Sequence, residues 1–206
     1  MGILFFNSRL FILLTPLNLL LMFFLILYTQ KNINRFFLIF LGVCFVGGIA
    51  IEIVGTKTAI FFGHYAYGKV LGPSIIGVPL VIGLNWFIVI YCCGTAMQLF
   101  LHTLLHKLSA ITEKPSSALK RISILIDGAT LALLFDWIME PVAIRLGYWQ
   151  WAGNGDIPIF NYLCWFVFSV VLLFIFDLCD FDKRNKFAVH LLLIQAMFFL
   201  LLRTFL

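Results

Sequence analysis

The chain has 206 residues, 63% of them hydrophobic and 11% charged, with a mean hydropathy of +1.09. A soluble domain of this length could not hide that much apolar surface, so the composition specifies a polytopic helical membrane protein. The net charge of +5 does not point to nucleic acid. Its cations stand in short loops beside apolar runs, where they set orientation.

Six apolar runs approach the ~20 residues a bilayer requires. They are Leu10–Thr29, Phe36–Val54, Pro79–Leu104, Ile122–Glu140, Pro158–Asp177 and Phe187–Leu206, which predicts an all-α transmembrane bundle forming one domain over residues 1–206. The first run lacks a small-x-small cleavage site and is long enough to span, so no cleavable signal peptide is expected. Pro79 and Pro158 suit helix starts, where a missing N–H costs nothing. Cys44, Cys92, Cys93, Cys164 and Cys179 all fall within or at the ends of apolar runs, as packing residues do.

The loops after the first, third and fifth runs carry nine Lys and Arg, Lys114 among them, against five on the other side. This bias predicts cytoplasmic basic loops and outward-facing termini in a bacterial cytoplasmic membrane. Glu52, Asn85, Trp86, Asp136, Glu140, Asn161 and Trp165 then share one level near the outer ends of their spans. Taking Pro141 as the end of its helix puts Asp136 roughly 7–8 Å inside. Loops containing His64, Tyr65, Tyr67, Trp149 and Trp151 would roof that layer.

Asp136 and Glu140, four residues apart, lie on one helix face. They could serve helix packing alone, but carboxylates inside a span more often mark substrate or proton sites. Glu52 is nearer the interface and could equally be solvated. Asn85 and Asn161 read as orienting hydrogen-bond partners. The paired aromatics fit either an interfacial belt or a pocket wall. His102 and His106 have a metal-ligand spacing but stand far from every acid, so no metal site is expected. His64 is the one histidine placed to carry protons to the acidic layer. A faint internal echo relates Glu52, Tyr65-x-Tyr67, Pro79 and Asn85-Trp86 to Glu140, Trp149-x-Trp151, Pro158, Asn161 and Trp165.

Two blocks carry a family resemblance. EIVGTKT (52–58) and FFGHYAYGKVLGPSIIGVPLVIGLNW (61–86) present Glu52, Gly63, Tyr65, Tyr67, Leu71-Gly72, Gly77-Val78-Pro79 and Trp86 in order. FDWIMEPVAIRLGYWQWAGNGDIPIFNYLCW (135–165) is similar to a W-D-x-x-x-D-P, G-x-W-x-W, P-x-x-N-x-x-G-W pattern. Together they resemble the integral-membrane carotenoid biosynthesis family, which includes carotenoid ψ-end hydratases of the bisanhydrobacterioruberin hydratase and γ-carotene 1′-hydratase type. Phe135, Glu140 and Cys164 depart from it, standing where the family usually has Trp, Asp and Gly.

The resemblance implies addition of water to a terminal isoprene C=C of an acyclic or monocyclic carotenoid, without a redox cofactor or metal. Such chemistry protonates an unactivated alkene to a tertiary cation, which water captures. Asp136 is the expected acid, with Glu140 or Glu52 as the base that orients water; exchanged roles fit almost as well. Tyr65, Tyr67, Asn85, Trp86, Trp149, Trp151, Asn161 and Trp165 are the expected substrate-binding residues. The expected partners are a carotenoid from the bilayer, membrane lipids and other carotenoid-pathway enzymes, with no nucleic acid. Two rivals remain: a lycopene-cyclase-like isomerase, in which a neighbouring double bond captures the cation, and a non-catalytic carotenoid-binding or transport protein.

Overall fold

The computed structural model describes residues 2–108 and 116–206; Lys114 and the side chain of His106 lie outside that description. Its helices are α1 (Gly2–Phe5), α2 (Ser8–Leu13), α3 (Thr15–Thr29), α4 (Arg35–Thr58), α5 (Val81–Leu108), α6 (Ser117–Arg145), α7 (Ile159–Leu178) and α8 (Lys186–Phe205). From α4 onward, five helices are long and apolar enough to cross a membrane. The expected first span is instead divided. Pro16 cannot donate back to Ile12, and the Leu14 N–H turns to the Ile12 and Leu10 carbonyls, closing α2 before α3 begins. At 15 residues, α3 is only ~22 Å long.

The centre of the bundle is α5, which packs against α3, α4, α6, α7 and α8. The unbroken run Trp86–Cys93 is fully buried, as a helix apolar all round must be. Small residues let α4 approach it. A Cβ at Gly48 would stand 2.6 Å from the Trp86 ring, and one at Gly83 would stand 2.8 Å from the Phe45 carbonyl oxygen. Backbones this close exclude any larger side chain.

Pro141 does not end its helix. It removes the donor that the Trp137 carbonyl would otherwise meet, and Arg203 of α8 replaces that donor at 3.0 Å. The same guanidinium lies 4.3 Å from the centre of the Trp137 ring. So supported, α6 runs on to Arg145. Asp136 therefore lies nine residues, ~13–14 Å, from the helix end, which corrects the shallower depth inferred from the proline.

The loops after α4 and α6 are also more regular than expected. β1 (Tyr65–Tyr67) pairs antiparallel with β4 (Trp149–Trp151), with Tyr65 opposite Trp151 and Tyr67 opposite Trp149. A tight hairpin of β2 (Ser74–Ile75) and β3 (Val78–Pro79) follows β1. Its two turn residues, Ile76 and Gly77, both have positive φ, at 52° and 90°, as a type I′ turn demands. Pro79 thus belongs to β3, and α5 starts at Val81.

Candidate active site

The β1–β4 pairing builds a wall. Side chains alternate across a strand, so Tyr65, Tyr67, Trp149 and Trp151 share one face while Ala66 and Gln150 face out exposed. Behind that wall, α4 and α6 present their carboxylates.

Glu52 is buried and meets donors at both oxygens. Its Oε1 accepts from Trp86 Nε1 at 3.0 Å. Its Oε2 accepts from the Tyr67 hydroxyl at 2.7 Å and from the Tyr65 hydroxyl. Burial and then the Glu52 charge push both phenols above their ordinary range, so they keep their protons and donate. Solvation of Glu52 at the interface, one of the two sequence readings, does not occur.

Glu140 is held differently. One oxygen, Oε1, accepts from both Trp149 Nε1 at 2.9 Å and Trp151 Nε1 at 2.6 Å. No described residue donates to the other. Asp136, one turn deeper, is fully buried; its Oδ2 accepts from Asn161 Nδ2 at 3.1 Å and its Oδ1 has no partner among the described residues. Trp86 and Trp165 stack at 4.0 Å with their planes 20° apart, joining α5 to α7.

These groups enclose a cavity of about 30 Å³, enough for one or two water molecules. Glu52, Glu140, Asn85 and Asn161 line it, together with Tyr65, Tyr67, Trp86, Trp149, Trp151 and Trp165. Ten of the eleven expected site residues therefore converge on one space. Asp136 is the exception, reaching the wall through Asn161. His64 also stays outside: it is exposed and contributes its backbone carbonyl to Ala152. Phe62, Ile82 and Met139 complete the lining. Sequence gave no reason to choose these three from many apolar neighbours, although Phe62 is marked structurally by a positive φ of 65°.

The family described as carotenoid biosynthesis protein matches residues 10–206. The chain belongs to this family. A relative, bisanhydrobacterioruberin hydratase of Haloarcula japonica, is 28% identical over 138 residues, covering 66% of this chain and 42% of the relative. The aligned part is thus less than half of that relative's length. No solved structure matches the chain.

The three departures from the carotenoid biosynthesis pattern each have a place in the structure. The Cys164 sulfur accepts the Phe62 backbone N–H at 3.3 Å, which a glycine could not do, and so holds the residue with unusual φ. Glu140 carries one methylene more than aspartate and reaches both indoles of β4. Phe135 packs edge-on against Phe199 of α8 at 5.8 Å and donates no hydrogen bond.

Proposed function

We propose that this protein is a carotenoid hydratase, adding water to a terminal carbon–carbon double bond of an acyclic or monocyclic carotenoid. The observation that carries the reading is the water-sized cavity bounded by two carboxyl groups and aromatic faces. Membership of the carotenoid biosynthesis family supports the substrate class.

The geometry favours one division of labour. A general acid needs a carboxyl oxygen free to hold a proton toward the substrate. Glu140 has such an oxygen on the cavity wall, whereas both Glu52 oxygens are occupied by donors. We therefore assign Glu140 as acid and Glu52 as the acceptor that orients water. Asp136 becomes the buried support of Asn161, a change from its expected role as acid.

In the reaction, the Glu140 proton bonds to the inner, CH carbon of the terminal alkene through the π electron pair, leaving a tertiary cation on the dimethyl-bearing carbon. Faces of Tyr67, Trp149 and the Trp86–Trp165 stack stabilise that cation. Water oxygen then forms the C–O bond and loses a proton to a carboxylate, which restores the starting charge of the site. One water is added and nothing is oxidised. A chamber with room for water suits this capture better than cyclisation does.

The protein would work as an integral membrane enzyme that draws its substrate from the bilayer. Its α3–α4, α5–α6 and α7–α8 loops would face the cytoplasm, as their Lys and Arg content favours.

Expression in a lycopene-accumulating host tests the reading by pigment mass. Gain of one water is the expected result. An isomer of unchanged mass would establish a cyclase, and untouched pigment in a host offering both acyclic and monocyclic carotenoids would overturn the enzyme assignment.

A further inference from the structure

A second, larger space opens beside the polar chamber. It occupies about 570 Å³ between α3 and α8, with α1 and α2 contributing Gly2, Ile3 and Phe11. That size falls within the roughly 300–1,000 Å³ of small-molecule sites. Its walls are mainly apolar, with Leu17, Leu21, Ile194 and Phe198 among them. Asn85 lines both this groove and the chamber, so the two spaces meet at one side chain.

One wall residue does not fit an ordinary lipid-filled groove. Gln195 is only 4% exposed, and its Oε1 has no hydrogen-bond partner among the described residues. Its amide nitrogen donates to the Met22 sulfur at 3.1 Å. A buried amide oxygen without a donor is costly, and hydrocarbon cannot supply one.

A comparable space of about 610 Å³ lies between α4 and α7, lined by Gly47, Val54, Phe160 and Val167 among others. It shares no lining residue with the chamber, and among the described residues it has no unpartnered buried polar atom.

We infer that the α3–α8 groove receives the polyene chain of the substrate, with the reacting end directed past Asn85 toward the chamber, and that Gln195 accepts a hydrogen bond from a hydroxyl on that chain. The inference rests on the carotenoid reading above. It favours, among such substrates, a rod-like isoprenoid that already carries an alcohol over one that does not. The α4–α7 groove takes lipid acyl chains.

The test uses the purified full chain in detergent micelles. The probes are lycopene and a monohydroxylated acyclic polyene of the same length, and bound pigment is read from absorbance co-eluting with a monodisperse protein peak. The hydroxylated chain should bind about fivefold more tightly, the value of one hydrogen bond. Gln195→Leu should bring the two probes within about twofold while retaining lycopene, because only that bond is lost. Ile194→Trp should weaken both by at least about tenfold through lost space. Leu21→Phe, a gentler filling, should weaken both in the same direction. Val167→Trp in the α4–α7 groove should change neither.

Pigment displaced by Val167→Trp but not by Ile194→Trp or Leu21→Phe would overturn the placement. Equal binding of both probes by the unsubstituted chain would overturn the role of Gln195. Recovery of phospholipid alone, with no pigment, would overturn the occupant. Binding is read apart from turnover. Expected binding without hydration sinks the hydratase reading and leaves the groove; hydration with unaltered binding in the groove variants does the reverse.

Discussion

Two regions of this bundle bury polar groups among aromatic rings, and they use them in opposite ways. At the α3–α4 and α7–α8 loops, the Tyr91 hydroxyl donates to Gln30 Oε1 at 2.5 Å, while Gln30 Nε2 donates to the Asp182 carbonyl at 2.9 Å. Asn34 donates to the Asp180 carbonyl at 2.7 Å, and Asn185 to the Thr29 hydroxyl at 3.0 Å. Phe37, Phe40, Phe176 and Phe181 close around this knot, mostly edge to face. The bonding groups are neutral and paired, and they tie two loops to the central helix.

The other region holds three carboxyl groups, and among the described residues two of their oxygens lack a donor, one on Glu140 of the cavity lining and one on Asp136 behind it. Buried polar networks stabilise when their capacity is fully used. Unused capacity next to a space is what chemistry requires. The contrast separates scaffold from candidate site without reference to any relative.

The largest effect that would sharpen this contrast is Glu140→Gln. It preserves volume and the acceptor for both indoles but removes the transferable proton. Product formation should fall by about 10²–10⁴-fold, with thermal stability in detergent nearly unchanged. Asp136→Asn should cost less than this; a greater loss would return the acid role to Asp136.

Tyr91→Phe addresses the other region. It strands Gln30 Oε1 and should lower stability by roughly 1–3 kcal/mol, read by denaturant titration in micelles, while turnover per folded molecule stays unchanged. Loss of turnover without loss of stability would break the comparison. Arg203→Met should come next, costing on the order of 1–2 kcal/mol as the Trp137 carbonyl loses its donor and the ring its cation. Its turnover should fall only modestly, through the altered course of α6 at Glu140. Tyr67→Phe should be mildest. Glu52 keeps two other donors, so product formation should drop by about threefold to tenfold, one hydrogen bond's worth.

Much of the candidate site was legible because it is local. The spacing of Asp136 and Glu140 puts them on one helix face whatever else happens, and Tyr65-x-Tyr67 and Trp149-x-Trp151 carry the period of a strand. The pairing of those strands was not legible. Residues 65 and 151 are far apart in sequence, and their register depends on where α4 and α6 end in space. Pro16 and Pro141 make the same point. By local sterics either can stop a helix, and Pro16 does. Pro141 is carried through by Arg203, 66 residues away from the carbonyl it satisfies. The groove and Gln195 gave no sequence signal either, since one glutamine in an apolar run has no visible partner or vacancy.

Composition and apolar run length alone determined that this chain is a helical membrane protein, because hydrocarbon tolerates little else at that length and polarity. Sequence also determined which carboxyl and aromatic groups were available near one end. Only the tertiary structure decided which oxygens were taken and which were left free. It gave Glu52 three donors and left Oε1 room for one more, left one oxygen of Glu140 without a described donor beside water-sized space, and set Asp136 behind Asn161. Hydrogen-bond capacity is spent between elements, and the geometry between elements is not written in any one of them.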